Sequence, residues 1–186
     1  NMHQHFENML KTGKGTDVTF DVDGKIFHAH RCVLAARSAV FEAELLGPMK
    51  EKAIEGPIKV ADMEPSIFEE LLHFIYTDSI SDSKNDDDDK NMSMQHLLVA
   101  ADRYGLHRLR LMCELSLCHG IDVQTVATTL ALAEQHHCAR LKGACLKFVA
   151  SQRDVHGVIM KTDGFKHLVA SCPLIMVEIL DKIAEA

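Results

Sequence analysis

Twelve histidines and six cysteines in 186 residues put metal chemistry first among the possibilities. Their densest cluster is His136-His137-Cys138, with Cys145 further along the same stretch. Zinc needs four ligands converging tetrahedrally, commonly as a C-x₂₋₄-C pair met by an H-x₃₋₅-H pair or a second cysteine pair. Here no pair has its partner pair. His28 and His30 fall at a strand end on one face. Cys113 and Cys118 lie roughly 140° apart on a helix that turns ~100° per residue. These residues read as packed or solvated side chains, and neither a metal nor another cofactor is expected. Thr12-Gly13-Lys14-Gly15-Thr16 superficially suggests a phosphate loop, but its glycines precede a strand, whereas a phosphate loop follows a strand and opens a helix. No G-x-S-x-G, H-E-x-x-H or G-x-G-x-x-G occurs, and the acid groups Glu69-Glu70 and Asp86 to Asp89 fall on a helix face and in a loop. The expectation is a chain without catalysis.

The chemistry that remains is recognition. Gly47-Pro48 stops a helix and delivers the triplet Met49-Lys50-Glu51 to a surface turn. A methionine is a flexible anchor for an apolar cleft, and a glutamate two residues on can fix orientation through a charged hydrogen bond. The bland alternative is that Met49 covers local core while Glu51 is merely solvated.

Composition narrows the partners. The formal charge of −7 arises from 27 acids against 20 bases, with no Lys/Arg cluster dense enough to follow a phosphate backbone. Nucleic acid is therefore not an expected ligand, and an acidic surface favours partners with basic faces. No apolar run reaches the ~18 to 20 residues that span a bilayer. Asn1 to Leu10 lacks the continuous apolar stretch of a signal peptide. An intracellular chain with reduced thiols is expected, which makes the sequon Asn91-Met92-Ser93 a coincidence.

The elements that must carry the triplet follow from periodicity. Met2, Phe6, Met9 and Leu10 form one apolar stripe on a short helix ended by Gly13 and Gly15, and so short a stripe needs something to cover it. Val18 to Val22 alternates with period two, Asp23-Gly24 turns, and Lys25 to Ala29 returns as a hairpin. One helical run follows through Val33, Leu34, Val40, Phe41, Leu45 and Leu46. Pro57 to Val60 is a third strand, and Glu64-Pro65 opens a core helix through Ile75. Thr77 to Lys90, with its run of aspartates, reads as a surface loop. The Asp-Asp-Asp-Asp-Lys within it also matches a protease tag, although its setting favours a natural insertion. From Ser93 onward the pattern is helical, with segments at Leu97–Tyr104, Leu106–Cys118, Val123–Glu134, Leu141–Ala150, Val155–Met160, Phe165–Ala170 and Leu174–Ala184. The change from mixed to all-helical pattern places a boundary near residue 120, giving modules 1–120 and 121–186.

The stretch from Phe27 through His28-Ala29-His30-Arg31, Val33-Leu34 and Arg37-Ser38 to Phe41 resembles the signature of the BTB/POZ domain. The Thr16-Asp17-Val18 opening, Met63-Glu64-Pro65-x-Ile67-Phe68, Phe74-Ile75-Tyr76-Thr77 and Ala100-Ala101-Asp102-Arg103-Tyr104 follow in the same order. Residues 121–186 look like the shortened BACK region of the MATH-BTB family, whose animal member is speckle-type POZ protein. Gly47 to Glu51, Val99 to Tyr104 and Ala127 to Ala133 with His136 to Cys138 resemble its plant branch. The resemblance implies an α+β BTB/POZ fold, a small sheet flanked by helices, followed by helical hairpins. It further implies a non-catalytic substrate adaptor of a cullin-3 ubiquitin ligase, acting in nucleus or cytoplasm. Met49 and Glu51 match the family's hydrophobic-x-Glu motif, with Glu44 and Leu45 on the same docking helix; Glu44 stands where animal members usually have an apolar residue. Val33 matches a family dimer position, beside the stripe of Met2, Phe6 and Met9. Leu180 falls where BACK regions self-associate, on a stripe of Leu174, Val177, Leu180 and Ile183. A homodimer or higher oligomer is implied. Substrates would be recruited by a MATH domain preceding residue 1, so the chain is expected to be a fragment. The rival reading is a BTB dimerisation module for transcriptional or scaffold assembly, needing no cullin.

Overall fold

A computed structural model describes residues 2–47, 56–81, 87–151 and 156–185, with Asp87 to Asp89 described in backbone alone. Strand β1 (Val18–Val22) buries Val18, Phe20 and Val22 on one face, as period-two alternation requires. Asp23 and Gly24 both take positive φ, 48° and 82°, the condition for a two-residue hairpin turn whose twist matches the strands. The Gly24 N–H donates to the Asp21 carboxylate at 2.9 Å and closes the turn. Strand β2 (Lys25–Ala29) returns antiparallel, with Phe27 opposite Phe20. Strand β3 (Ile58–Val60) lies parallel on the other side of β1, so the sheet order is β2-β1-β3.

The helical run expected from Val33 to Leu46 is two helices. Ser38, at φ −140° and ψ 118°, separates α2 (Arg31–Arg37) from α3 (Ala39–Leu46). Its hydroxyl accepts the Phe41 N–H at 3.1 Å and donates to the Tyr104 carbonyl at 2.6 Å, an N-cap that also ties α3 to a distant part of the chain. Helix α4 (Pro65–Thr77), begun by proline at its first turn, buries eight of its residues and is the core helix that its near-continuous apolar pattern predicts. Phe68 at its centre meets Phe20 at 5.2 Å and Phe27 at 5.2 Å between ring centroids. Helix α1 (Met2–Thr12) packs on α4 without burying any residue of its own.

The loop expected through Lys90 ends early. Helix α5 (Asp87–Arg103) begins within the aspartate run. Helix α6 (His107–His119), α7 (Val126–Gln135), α8 (Ala139–Ser151), α9 (His156–Ile159), α10 (Asp163–Ser171) and α11 (Ile175–Glu185) complete the chain. Helix α7 starts three residues later than periodicity suggests. The Asp122 carboxylate accepts the N–H groups of Gln124 and Thr125 at 2.7 and 2.8 Å, holding that stretch as a turn.

Two compact units result: residues 1–86 with 96–110, and residues 87–95 with 111–186. The division differs from a single cut near 120 because side chains of α5 bond within the second unit. Asn91 Nδ2 donates to the Gly120 carbonyl at 3.0 Å, and Gln95 Nε2 to the Thr129 hydroxyl at 3.3 Å.

Candidate functional site

Helix α3 divides its apolar residues between two faces. Phe41 and Leu45, four apart, are fully buried, while Val40 and Leu46 are exposed. Phe41 stacks on Tyr104 with centroids 4.4 Å apart and planes 16° from parallel, and with the Ser38 bond this makes α3 a rigid support. Leu45 therefore fills the core, and the docking contact expected of its side chain is corrected: one helical step turns it inward with Phe41. Glu44 is exposed on the outer side with Val40 and Ala43. Burial of the phenol raises the Tyr104 pKa; Arg103 opposes the rise, and the Glu44 charge adds a smaller upward push. Met49 and Glu51 lie outside the described residues, beginning two positions after the α3 C-cap at Gly47.

A second surface lies between α1, α2 and α4. Met2 is exposed, and Phe6, Met9 and Val33 are half-buried. Met2, Phe6 and Val33 line one groove of about 430 Å³ with Cys32, Ile75 and Tyr76. The groove is held by a buried network. Tyr76 OH receives the His30 N–H at 2.9 Å and so gives its own proton to His30 Nδ1 at 2.8 Å, leaving His30 Nε2–H to donate to the Lys14 carbonyl at 3.1 Å. Burial pushes the Tyr76 pKa up to about 12, which keeps the phenol neutral and this polarity fixed. His30 is thus a buried cap at the start of α2 while His28 is exposed; the strand ends between them, so they do not share one face.

On α11 the core side is Ile175 and Ile179, and the stripe of Leu174, Val177 and Leu180 faces outward, with Ile183 half-buried. Lys142 on α8 holds this helix from within, its ammonium 2.7 Å from Glu134 and 2.8 Å from Glu178. Burial alone would lower the Lys142 pKa; the two carboxylates outweigh it and raise it. No linear spacing announces this three-residue tie, whose members stand 8 and 36 positions apart. Among the described residues no three His, Cys, Asp or Glu side chains converge as a metal site would require. Cys113 and Cys145 are buried, and burial pushes both thiols up to about 12.

What these surfaces have in common is apolar side chains presented on rigid helices, which is the equipment of a binding module. Residues 6–121 match the family model for the BTB/POZ domain, and residues 125–180 match that for the BPM/SPOP BACK domain. The chain belongs to the BTB/POZ family. This BTB/POZ-BACK chain is 46% identical over 192 residues to BTB/POZ and MATH domain-containing protein 3 of Arabidopsis thaliana, covering 100% of the chain and 46% of that protein. Protein 4 of the same series and plant is 42% identical over 189 residues, covering 97% and 40%. The BTB/POZ-BACK chain thus spans less than half the length of these relatives. Among solved structures, the BTB domain of zebrafish PATZ1 aligns with a TM-score of 0.49 at 23% identity, over 61% of this chain and 86% of that one. The fold is α+β, a BTB/POZ domain with a three-stranded sheet followed by a helical BACK region, and its family role is protein interaction.

Proposed function

We propose that this BTB/POZ-BACK chain is the cullin-3-binding, self-associating part of a ubiquitin ligase adaptor. It supplies contacts and no chemistry, in the nucleus or cytoplasm. Substrates would reach it through a MATH domain of the kind named in its plant relatives. The observation that carries the reading is the order of elements on the chain: a rigid α3, capped at both ends, leads directly into Met49-Lys50-Glu51. Met49 anchors in an apolar cleft of the partner and Glu51 orients it, while exposed Glu44 on α3 adds a carboxylate. The apolar stripes of α1 and α11 supply self-association, since a two-fold contact lets each copy cover the other.

Calorimetric titration with the cullin-3 N-terminal domain tests the assignment. Met49→Ala combined with Glu51→Ala weakens binding at least about tenfold, equivalent to ~1.4 kcal/mol. The melting temperature stays nearly constant, the result expected for a triplet that the sequence reads as a turn, where substitutions change stability by under ~0.5 kcal/mol. A wild-type chain that dimerises yet ignores cullin-3 at high micromolar concentration supports the scaffold reading instead.

A further inference from the structure

A groove of about 530 Å³ opens in the first unit where the end of β3, the start of α4 and the C-terminal half of α5 meet. Its floor is apolar: Val60, Ile67 and Ala100 are buried, and Val99 is 37% exposed. Its rim is acidic. Asp23 and Asp62 are both exposed and both held at positive φ, 48° and 57°. Neither carboxylate has a hydrogen-bond or ion-pair partner among the described residues. Among the described residues the Glu64 carboxylate pairs with His96 alone, at 3.6 Å. Arg103, the groove's one arginine, is committed elsewhere: it donates to the Ala61 carbonyl at 2.8 Å and lies over the Tyr104 ring.

We infer that this groove docks an extended segment of a partner protein in which one apolar side chain is flanked by lysine or arginine. The apolar side chain covers Val99 and the floor, and the flanking cations pair with Asp23, Asp62 and Glu64. Charge complementarity selects this occupant over an acidic or wholly apolar one. An acidic segment would meet unpaired carboxylates, and an apolar one would leave them facing its backbone with no cation to meet. The chain's net charge of −7 adds long-range attraction for the same class of partner. The inference needs neither Met49 nor Glu51, so it stands or falls apart from cullin-3 binding.

Fluorescence anisotropy with a labelled peptide centred on Lys-Lys-Leu-Arg-Lys reads the interaction directly on the full chain. Saturable binding is expected, weakening as salt is raised because rim pairs are screened. Asp23→Lys with Asp62→Lys lowers affinity at least about tenfold, the fold-change of one or two lost rim anchors, and Val99→Asp lowers it comparably. The control Asp163→Lys with Glu185→Lys makes the same change in net charge at exposed positions of the second unit and leaves affinity within about twofold. A thermal melt on each variant establishes that it is folded. No saturation up to about 1 mM peptide, groove variants that bind like wild type, or a control that loses as much as they do overturns the proposal. So does equal binding of a peptide with glutamate at every basic position.

Discussion

The two units solve the same packing problem with different materials. The first surrounds a small sheet with aromatic rings, Phe20, Phe27, Phe41, Phe68 and Phe74, and pins its helices by hydrogen bonds that cross long stretches of sequence, such as Ser38 to Tyr104 and His30 to Tyr76. The second is built of helical hairpins whose core is Leu, Ala, Val, Ile and Cys, with Phe148 and Phe165 only half-buried. Small side chains let neighbouring helices pack closely, but each helix then covers little apolar surface on the next. Val177 and Leu180 of α11 stay exposed. A core of rings gives rigid platforms such as α3, and the aliphatic core gives a stack of helical hairpins; both units leave apolar surface for a partner.

Thiol chemistry separates the units most widely. The first unit carries one cysteine, Cys32, and exposes it, whereas Cys113 and Cys145 of the second are buried with pKa values raised from 9.0 to about 12. At neutral pH such a shift leaves about 10³-fold less thiolate than an unshifted thiol has. Mass spectrometry after brief maleimide labelling should find Cys113 and Cys145 intact in the native chain and modified in urea. Labelling of native Cys145 at its rate in urea would mean that the second core opens freely.

Core truncation sharpens the contrast next. Phe68→Ala removes a ring that meets two others and should cost about 4 kcal/mol, against about 3 for Leu141→Ala in the second unit. Urea unfolding followed by probes in each unit measures both, and a cheaper Phe68→Ala would remove the aromatic core from the account. Assembly follows. Aspartate at Phe6, Met9 and Val33 should turn a dimer into monomer by light scattering, while Leu180→Asp should leave the dimer and abolish larger species. If Leu180→Asp alters the melt and nothing else, the α11 stripe is not a contact. The smallest effect is at Ser38→Ala, expected to cost ~1 to 2 kcal/mol through the lost α3 cap and the unpaired Tyr104 carbonyl, and readable in the same urea titration.

Much of this was legible in the chain itself. Alternation in Val18 to Val22, the Asp23-Gly24 turn and the near-continuous apolar run after Pro65 specify their elements because each depends on bonds between near neighbours. The helices of the second half follow from period alone to within a few residues. Ser38 was a readable N-cap inside an apparently continuous helix, and Asp122 a readable turn residue before α7; in both cases apolar periodicity outweighed a polar side chain that bonds its own backbone.

By itself the sequence determined most of the elements in their order, the family and the absence of familiar catalytic motifs, all of which rest on local propensity and on motifs contiguous in the chain. Only the tertiary structure decided which way each apolar side chain faces. It turned Leu45 inward and Leu46 outward, separated His28 from His30, tied Lys142 to Glu134 and Glu178, and gathered Asp23, Asp62, Glu64 and Val99 around one groove. The reason is physical: burial and pairing are properties of neighbours in space, and those neighbours are brought together by packing that no spacing along the chain encodes on its own.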